Sequence, residues 1–273
     1  MSISTYQLLK SLGVSERRVL QLLPTISGGN YAAGDVICPK GANKQPWTHV
    51  FSGLVFGGIP NTDGGIDPVH IFGPNTWFGE ASIVSRQPSS MEYACLTDVR
   101  VMHLPWEATI EAFEREPDFS RYIALLVTLR SQQSSELLSL MRFGSPAQRV
   151  VMGMALIAEA LLQPHPTLRP SANWELASDR LDISVKQALM ASMCGVSRGI
   201  FSVCINQLER ASWCEIQYGT ISLLQIKAWI HFSAAQRHNR IHMDKPAMPE
   251  ILLQLDAAAQ ECRSDTNHLA RHA

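Results

Sequence analysis

The sequence predicts an α+β protein in which a β-rich amino-terminal half is followed by a long helix and a helical carboxy-terminal domain. Three observations carry this prediction. Short apolar runs separated by Gly, Pro and Asn–Asp clusters fill residues 31–103, a helical pattern without Pro or Gly covers 118–142, and a helix–turn–helix pattern lies at 193–209. At 273 residues, the chain is long enough for roughly two domains.

The bulk composition is that of a soluble globular protein, with 46% apolar residues, 17% charged residues and a formal net charge of −1. This balance excludes a uniformly basic nucleic-acid binder. The charge is uneven, however, because residues 183–240 carry six Lys or Arg and only two Glu. A local positive excess of this kind suits a DNA-binding face.

The amino end lacks the basic start and long apolar core of a signal peptide, and no apolar run approaches the ~20 residues that span a bilayer. We therefore expect a cytoplasmic protein with no membrane partner. None of the six cysteines forms a CxxC pair, so no metal or iron–sulfur site is predicted. The equally spaced Cys194, Cys204 and Cys214 are expected to pack as small apolar side chains, although a redox-sensing thiol remains open.

The amino-terminal half is predicted to be a helical segment followed by short strands. Residues 1–27 place leucines on one helical face, and the helical segment is taken to end by residue 30. Six strands are expected from the apolar runs, at 35–38, 49–51, 54–58, 68–72, 92–96 and 99–104. The Gly-rich stretch 57–65 is typical of a hairpin tip. Such short strands with regular turns predict a sandwich or barrel.

The carboxy-terminal half is predicted to be mainly helical. A short helix begins at Trp106, and the long helix 118–142 needs a packing partner, for which dimerisation is one answer. Residues 143–146 form a hinge, after which Ser145 caps a helix reaching about residue 162. A Pro-rich loop is expected at 163–173.

The segment 193–209 is the most informative part of the chain. It has a helix, a turn at Gly195, and a second amphipathic helix with Ser197 at its N-cap position, the pattern of a DNA-binding helix–turn–helix. Residues 215–224, with Gly219 inside, predict a β-hairpin or wing. The tail from residue 225 is expected to be partly helical and frayed from residue 264 onward.

Three landmarks in this order resemble the Crp/Fnr family of transcriptional regulators. They are the turn at 31–37, the Phe-Gly-Glu sequence at 78–80, and Gly-Val-Ser-Arg at 195–198. The resemblance implies an amino-terminal β-roll, jelly-roll-like and similar to cyclic-nucleotide-binding domains, at 31–116. It further implies a dimerisation helix at 117–143 and a winged helix–turn–helix domain at 144–224, which leaves 225–273 as a carboxy-terminal extension.

The resemblance also implies an effector site. In cyclic-nucleotide-binding relatives, a Glu after Gly holds the ribose, an Arg pairs with the cyclic phosphate, and the next Ser adds a hydrogen bond. The matching effector-binding positions here are Gly79, Glu80, Ser89 and Ser90 in the cassette, with Ser134 and Ser135 on the long helix. The Arg position holds Ser89, which removes the strongest phosphate contact and puts cyclic AMP in doubt. Arg86 is the nearby substitute.

Other sensing chemistries of the family fit less well. Cys38 is the only cysteine before Cys95, so the amino-terminal cluster of an iron–sulfur sensor is missing. A haem sensor needs an axial ligand such as His, and His49, His70 and His103 lie in or beside predicted strands. No cofactor is therefore predicted with certainty, and a small-molecule effector similar to a cyclic nucleotide is retained.

The second helix of the helix–turn–helix supplies the predicted DNA contacts. They are Ser197, Arg198, Gly199, Ile200, Ser202, Val203 and Asn206. Arg198 is placed to reach guanine in the major groove, and Ser197 to approach a phosphate. Familiar relatives have Glu and a further Arg where this chain has Gly199 and Val203, so a different operator is expected. Phe201 is expected in the core.

Two functions remain open at this point. The first is a homodimeric, sequence-specific transcription regulator that binds an inverted repeat in double-stranded DNA and responds to an effector or signal in the β-roll. RNA polymerase is an open further partner. The alternative is a ligand-binding protein with weakened DNA contacts that acts through protein partners. An enzyme is not predicted, because no paired catalytic carboxylates, nucleophile motif or metal set is found in the sequence.

Overall fold

The computed structural model describes residues 4–62, 65–162, 179–238 and 245–270. These residues form two compact units, one within 1–132 and 161–171 and the other within 133–160 and 172–273. Within the described ranges, no single helix is both long and apolar enough to cross a membrane. Only the pair 187–193 and 198–210, bent by 99°, passes that test jointly.

The first unit begins with two short helices, α1 (Thr5–Ser11) and α2 (Glu16–Leu22), and a single 3-10 turn, instead of one helical stretch over 1–27. The break occurs at Gly13, whose φ is +84°. A Cβ atom there would lie 2.7 Å from the Cβ of Asp118, so this close approach requires glycine.

Two four-stranded antiparallel sheets follow. The strands are β1 (Ser27–Tyr31), β2 (Val36–Cys38), β3 (Trp47–Ser52), β4 (Val55–Pro60), β5 (Ile66–Phe72), β6 (Trp77–Phe78), β7 (Glu92–Cys95) and β8 (Val99–Leu104). One sheet has the order β1-β8-β3-β6 and the other β2-β7-β4-β5. The β4–β5 hairpin pairs as far as Pro60 and Ile66. Its tip residues 63 and 64 lie outside the described residues.

The six strands expected from apolar runs are present, and two more were not expected. β1 begins at Ser27, within the segment expected to be helical, because it pairs with β8 from Ser27 opposite His103 to Tyr31 opposite Val99. β6 has only two residues and pairs with β3. Both depend on partners distant in sequence, which a local pattern does not reveal.

Apolar side chains form two clusters in this unit. Val50, Phe72, Phe78 and Tyr93 belong to a cluster contributed by both sheets. The other cluster joins the first sheet to the helices, and in it Trp47 stacks on Trp77 with ring centroids 3.8 Å apart. Three helices complete the chain up to the hinge: α3 (Glu80–Ser85), α4 (Trp106–Arg115) and α5 (Pro117–Phe143), which extends into the second unit.

The second unit is a helix–turn–helix with a three-stranded sheet and further helices. Its elements are α6 (Pro146–Leu162), β9 (Arg180–Ile183), α7 (Gln187–Met193), α8 (Arg198–Arg210), β10 (Cys214–Gln217), β11 (Thr220–Leu224), α9 (Ile226–His238) and α10 (Met248–Ala270). The sheet order is β10-β11-β9. The expected loop at 163–173 lies outside the described residues. Residues 264–270 are helical, where fraying was expected, and residues 271–273 lie outside the described residues.

Candidate effector and DNA-binding sites

The cassette, residues 78–91, starts with a turn that requires glycine. Gly79 has a φ of +99°, and a Cβ on it would lie 2.9 Å from Nε2 of Gln45 and 3.2 Å from the carbonyl oxygen of Pro46. Glu80 follows as the first residue of α3 and is only 5% exposed. The turn therefore directs a carboxylate into the protein, where it needs a counter-charge or ligand.

That counter-charge is Arg130 of α5, which the sequence did not single out. Its Nε lies 2.7 Å from Oε1 of Glu80, and its Nη2 donates a hydrogen bond of 2.7 Å to the carbonyl of Trp77. The guanidinium also lies 4.4 Å from the centre of the Phe72 ring. Oε2 of Glu80 has no hydrogen-bond partner among the described residues, so one oxygen is available to accept from a ligand.

The groups around this ion pair are held neutral. Burial, and after it the charge of Arg130, lowers the pKa of His70 from 6.5 to about 4. Burial, followed by the charge of Glu80, raises the pKa of Tyr93 and of Tyr122. Arg130 and Glu80 are thus surrounded by uncharged rings, which strengthens the interaction between the two charges.

Ser89 occupies the position where a phosphate-pairing Arg would stand. It is 4% exposed, and its Oγ donates a 2.7 Å hydrogen bond to the carbonyl of Met91. Its backbone exchanges hydrogen bonds with the loop before β3, through Gly41 N and Ala42 O. Ser89 therefore fastens two loops together and contributes no positive charge. The next residue, Ser90, is exposed.

Arg86, the candidate substitute for the missing Arg, is engaged elsewhere. It ends α3 with a φ of +57°, and its guanidinium pairs with the carboxylate of Glu114 on α4, both being about half-exposed. Ser134 and Ser135 lie on the part of α5 that belongs to the second unit. Ser134 is half-buried, whereas Ser135 is exposed at the edge of a groove of about 250 Å³. The predicted effector residues are thus shared between the two units.

The three histidines considered as haem ligands have different surroundings. His49 is 1% exposed between the rings of Phe51 and Trp77, and burial lowers its pKa to about 4. His103 is bonded on both ring nitrogens, to the hydroxyls of Tyr31 and Thr48 at 3.0 Å each. Among the described residues, no group of three or more His, Cys, Asp or Glu side chains is placed to hold a metal ion.

The helix–turn–helix has the predicted local geometry. Gly195 forms the turn with a φ of +63°, and the amide of Val196 donates to the carbonyl of Ala191. Ser197 is the N-cap of α8, because its Oγ accepts a hydrogen bond of 3.3 Å from the amide of Ile200. This cap satisfies one of the amides that a helix start leaves unpaired and fixes where α8 begins.

The two faces of α8 differ in burial. The inner face carries four buried side chains, Phe201, Cys204, Ile205 and Leu208, so Phe201 is in the core as expected. The seven predicted DNA contacts all reach solvent: Ser197, Arg198, Gly199, Ile200, Val203 and Asn206 are exposed and Ser202 is half-buried. Val203 is 60% exposed and Ile200 39% exposed, so two apolar side chains of this face reach solvent.

Other charged and aromatic side chains of the helix–turn–helix and the wing are exposed as well. Exposed cations stand just before α7 at Lys186 and at the end of α8 at Arg210. Arg180 of β9, in contrast, is neutralised by Asp182 and Glu215. The wing hairpin β10–β11 places Tyr218 fully in solvent. Exposed positive charge therefore lies at both ends of α8 and at the start of α7.

The three equally spaced cysteines, Cys194, Cys204 and Cys214, are buried. Burial raises the pKa of Cys194 and Cys214 to about 12 and raises that of Cys204 as well. Thiols with such pKa values are unreactive at neutral pH, which supports a packing role. Cys194 also lies against Gly153 of α6, where a Cβ would come within 2.6 Å of its Sγ.

Residues 29–116 match the cyclic nucleotide-binding domain family. No curated protein matches the chain. Solved structures with a similar fold include FixK2 from Bradyrhizobium japonicum, at 14% identity over 72% of this chain and 92% of that chain, with a TM-score of 0.61. A Crp/Fnr-family transcriptional regulator from Thermus thermophilus is 18% identical over 76% and 98%, with a TM-score of 0.55.

The c-di-GMP-responsive global regulator CLP from Xanthomonas campestris is 15% identical over 77% of this chain and 99% of that chain, with a TM-score of 0.55. At these low identities, the structural similarity shows a shared fold. The predicted fold class, a β-roll followed by a long helix and a winged helix–turn–helix, is confirmed, as is the resemblance to Crp/Fnr regulators. The similar structures are those of regulators, not of enzymes.

Proposed function

We propose that this chain, which has the fold of Crp/Fnr transcriptional regulators, is a sequence-specific DNA-binding regulator that acts as a homodimer. The observation that carries the proposal is the division of α8 into a buried inner face and an uncovered outer face. The outer face offers a guanidinium at Arg198, an amide at Asn206, and apolar groups at Ile200 and Val203. Guanine, adenine and the thymine methyl are the respective partners of these groups in the major groove.

A second copy of the chain is the proposed partner of α5. This helix has 27 residues and carries exposed apolar side chains, among them Leu125 at 39% and Leu138 at 58% exposure. A helix of this length with exposed apolar side chains is stabilised by pairing with another. A two-fold dimer would present two α8 helices about one DNA turn (~34 Å) apart, so the operator is an inverted repeat.

The proposed effector is a small molecule held by the β-roll through Glu80 Oε2 and the polar groups of the cassette. Because position 89 supplies a hydroxyl already bonded to Met91, a cyclic phosphate would lack its usual guanidinium partner. We therefore propose weak binding of cyclic AMP. Cyclic di-GMP, to which CLP responds, is the second nucleotide worth titrating.

The decisive experiment is selection of duplexes from a random DNA pool by the purified full-length protein, with and without each nucleotide. Enrichment of an inverted repeat supports the proposal, and its loss in Arg198→Ala assigns the contact to α8. If neither the free protein nor the nucleotide-loaded protein enriches any sequence, the protein instead acts through partner proteins, with Gly199 and Val203 as weakened DNA contacts. Calorimetric titration of Ser89→Arg beside the wild type tests the phosphate argument.

A catalytic activity is not part of the proposal. The buried carboxylate of the cassette, Glu80, is paired with Arg130, and a carboxylate in an ion pair is a poor general base. The proposed output is therefore occupancy of DNA, and RNA polymerase is a candidate downstream partner.

A further inference from the structure

Residues at the junction between α5 and α6 make hydrogen bonds to two other segments of the second unit. Ser145 is 9% exposed and caps α6, with its Oγ accepting from the amide of Gln148 at 3.1 Å while its own amide donates to Oε1 of Gln148 at 2.9 Å. The same Oγ donates a hydrogen bond of 2.7 Å to the carbonyl of Pro246. One hydroxyl thus serves both as helix cap and as a link to the segment before α10.

Arg149, one turn into α6, links the same junction to the helix–turn–helix. Its Nε donates to the carbonyl of Gly144 at 3.2 Å and its Nη1 to the carbonyl of Gly195 at 3.0 Å. The first carbonyl belongs to the hinge and the second to the turn immediately before the cap of α8. The side chain of Met141 packs against the same turn, since a Cβ on Gly195 would lie 3.2 Å from its Cγ.

The segment bonded to Ser145 is itself anchored. Pro246 is buried, and α10 behind it inserts Ile251 and Leu255, both fully buried. Between the helices, Nε2 of Gln236 donates to Oε1 of Gln254 at 3.0 Å. The carboxy-terminal helices α9 and α10 therefore form a packed part of this unit. Pro246, which precedes α10, is held in place by this packing where it accepts the hydrogen bond from Ser145.

We propose that Arg149 and Ser145 are positioning residues. Through them, the α5–α6 junction and the carboxy-terminal helices α9 and α10 fix the position of the turn at Gly195, after which the DNA-reading helix α8 begins. A guanidinium that bridges two carbonyls holds them at a fixed separation. A shift of the hinge therefore moves Gly195 with it, and Pro246 limits that shift through Ser145. The regulatory meaning of this linkage rests on the proposed function, whereas the linkage itself does not.

The test is amide hydrogen exchange on the full-length protein in four variants. Arg149→Gln removes the bridge, and Ser145→Ala removes both the link to Pro246 and the side-chain cap of α6. Their matched controls are Arg142→Gln, an exposed arginine on the last turn of α5, and Ser264→Ala, an exposed serine on α10. The reporters are the amides of Gly195 and Val196, which donate to Ser192 and Ala191 in the turn.

Each of the two test variants should accelerate exchange at these two amides about tenfold or more, with the strands of the β-roll and the controls unchanged. Unchanged exchange at Gly195 and Val196 in either variant overturns the proposal. Equal acceleration throughout the second unit also overturns it, because the residue would then contribute only general stability. Acceleration confined to 245–251 in Ser145→Ala overturns the role of the carboxy-terminal helices.

A parallel measurement separates this inference from the proposed function. Operator binding by Arg149→Gln should weaken about tenfold or more, although Arg149 lies outside the predicted DNA contacts. If the wild-type protein selects no operator, the proposed function fails, and the exchange experiment still decides whether the hinge and the turn are linked.

Discussion

The guanidinium of Arg130 and the carboxylate of Glu80 meet at 2.7 Å, with side-chain exposures of 17% and 7%. The pair joins the middle of a long helix to the first residue of a short one that lies far earlier in the chain. It sets the polarity of the interior of the β-roll. A ligand entering there meets a carboxylate whose charge is already balanced, so the ligand need not bring a cation.

Replacing only one partner of this pair should be strongly destabilising. Arg130→Met leaves the buried Glu80 without its counter-charge, and we expect a loss of about 3 kcal/mol in the free energy of unfolding. The double variant with Glu80→Gln should lose less than the two single changes added together. Urea unfolding measures both. Arg86→Gln is the control, because its exposed pair with Glu114 should contribute less than about 1 kcal/mol. Additive single effects would contradict the coupling.

Stability should fall as the pH falls from about 6.5 towards 4. Burial lowers the pKa of His49 to about 4 in the folded protein, so the unfolded chain takes up the proton first on acidification. The stability linked to His49 is therefore complete above pH 6.5 and is lost below it. Between pH 7.5 and 5, His49→Leu should lose about 2 kcal/mol less than the wild type. The pKa of His70 is lowered in the same way, so the His49→Leu variant keeps the part of the pH dependence of stability that His70 contributes. Identical pH profiles would contradict the assignment.

The proposed DNA contact of Arg198 should be specific to base identity. Removing a bidentate contact to guanine costs roughly 10- to 100-fold in affinity and relaxes the preference at that base pair. Arg198→Ala should do both in a binding assay on the selected operator and its single-base variants. Arg210→Ala, at the opposite end of α8, is the control. If Arg210→Ala relaxes the preference at that base pair and Arg198→Ala does not, the end of the helix that reads the bases has been assigned wrongly.

Two positions on α8 should separate folding from DNA reading. Phe201 is fully buried and Val203 is 60% exposed. Phe201→Ala leaves a cavity, so we expect a loss of about 3–5 kcal/mol in unfolding free energy. Val203→Ala should change stability by less than about 0.5 kcal/mol and alter operator preference. Thermal unfolding and the operator assay together check the pair. A large destabilisation by Val203→Ala would mean that its face of α8 is packed.

Native-state thiol labelling should find one readily modified cysteine. Five of the six are buried, and only Cys262 is half-exposed. Because burial raises the pKa of Cys38 and Cys95 to about 11, their thiolate populations at neutral pH are very small. Cys262→Ser should abolish the fast phase of reaction with a thiol reagent. In denaturant, the remaining five cysteines should become reactive. A second fast thiol would indicate local opening.

Local signals in the sequence were sufficient for much of this fold. The Ser197 cap, the Gly195 turn, the cap of α6 at Ser145 and the hairpin of β4 and β5 each depend on residues within a few positions of one another. Propensity and periodicity act over that range. The same holds for the long helix α5, whose bounds follow from Pro117 and the Gly144 hinge.

Features created by distant partners were not predictable in this way. The strand β1 contains Gly28 and Gly29 and becomes a strand only by pairing with β8. Arg130 lies in a polar stretch of α5 and gains its role only by meeting Glu80. The seven α8 positions could be placed on one solvent-facing side from the sequence because the helix start fixes its face, and their contacts with DNA stay a prediction. In contrast, the effector positions depend on loops whose contacts, such as Ser89 with Ala42, no short pattern specifies.

Gly199 has open space where a side chain would stand, with no atom within 4 Å of a Cβ built on it. It lies in the first turn of a helix that glycine weakens by about 1 kcal/mol relative to alanine. An alanine introduced there would therefore add its Cβ to the outer surface without a close contact and would strengthen the helix. If α8 reads DNA as proposed, a side chain at this position changes the surface that meets the bases without disturbing the core, so target preference and fold are separable here.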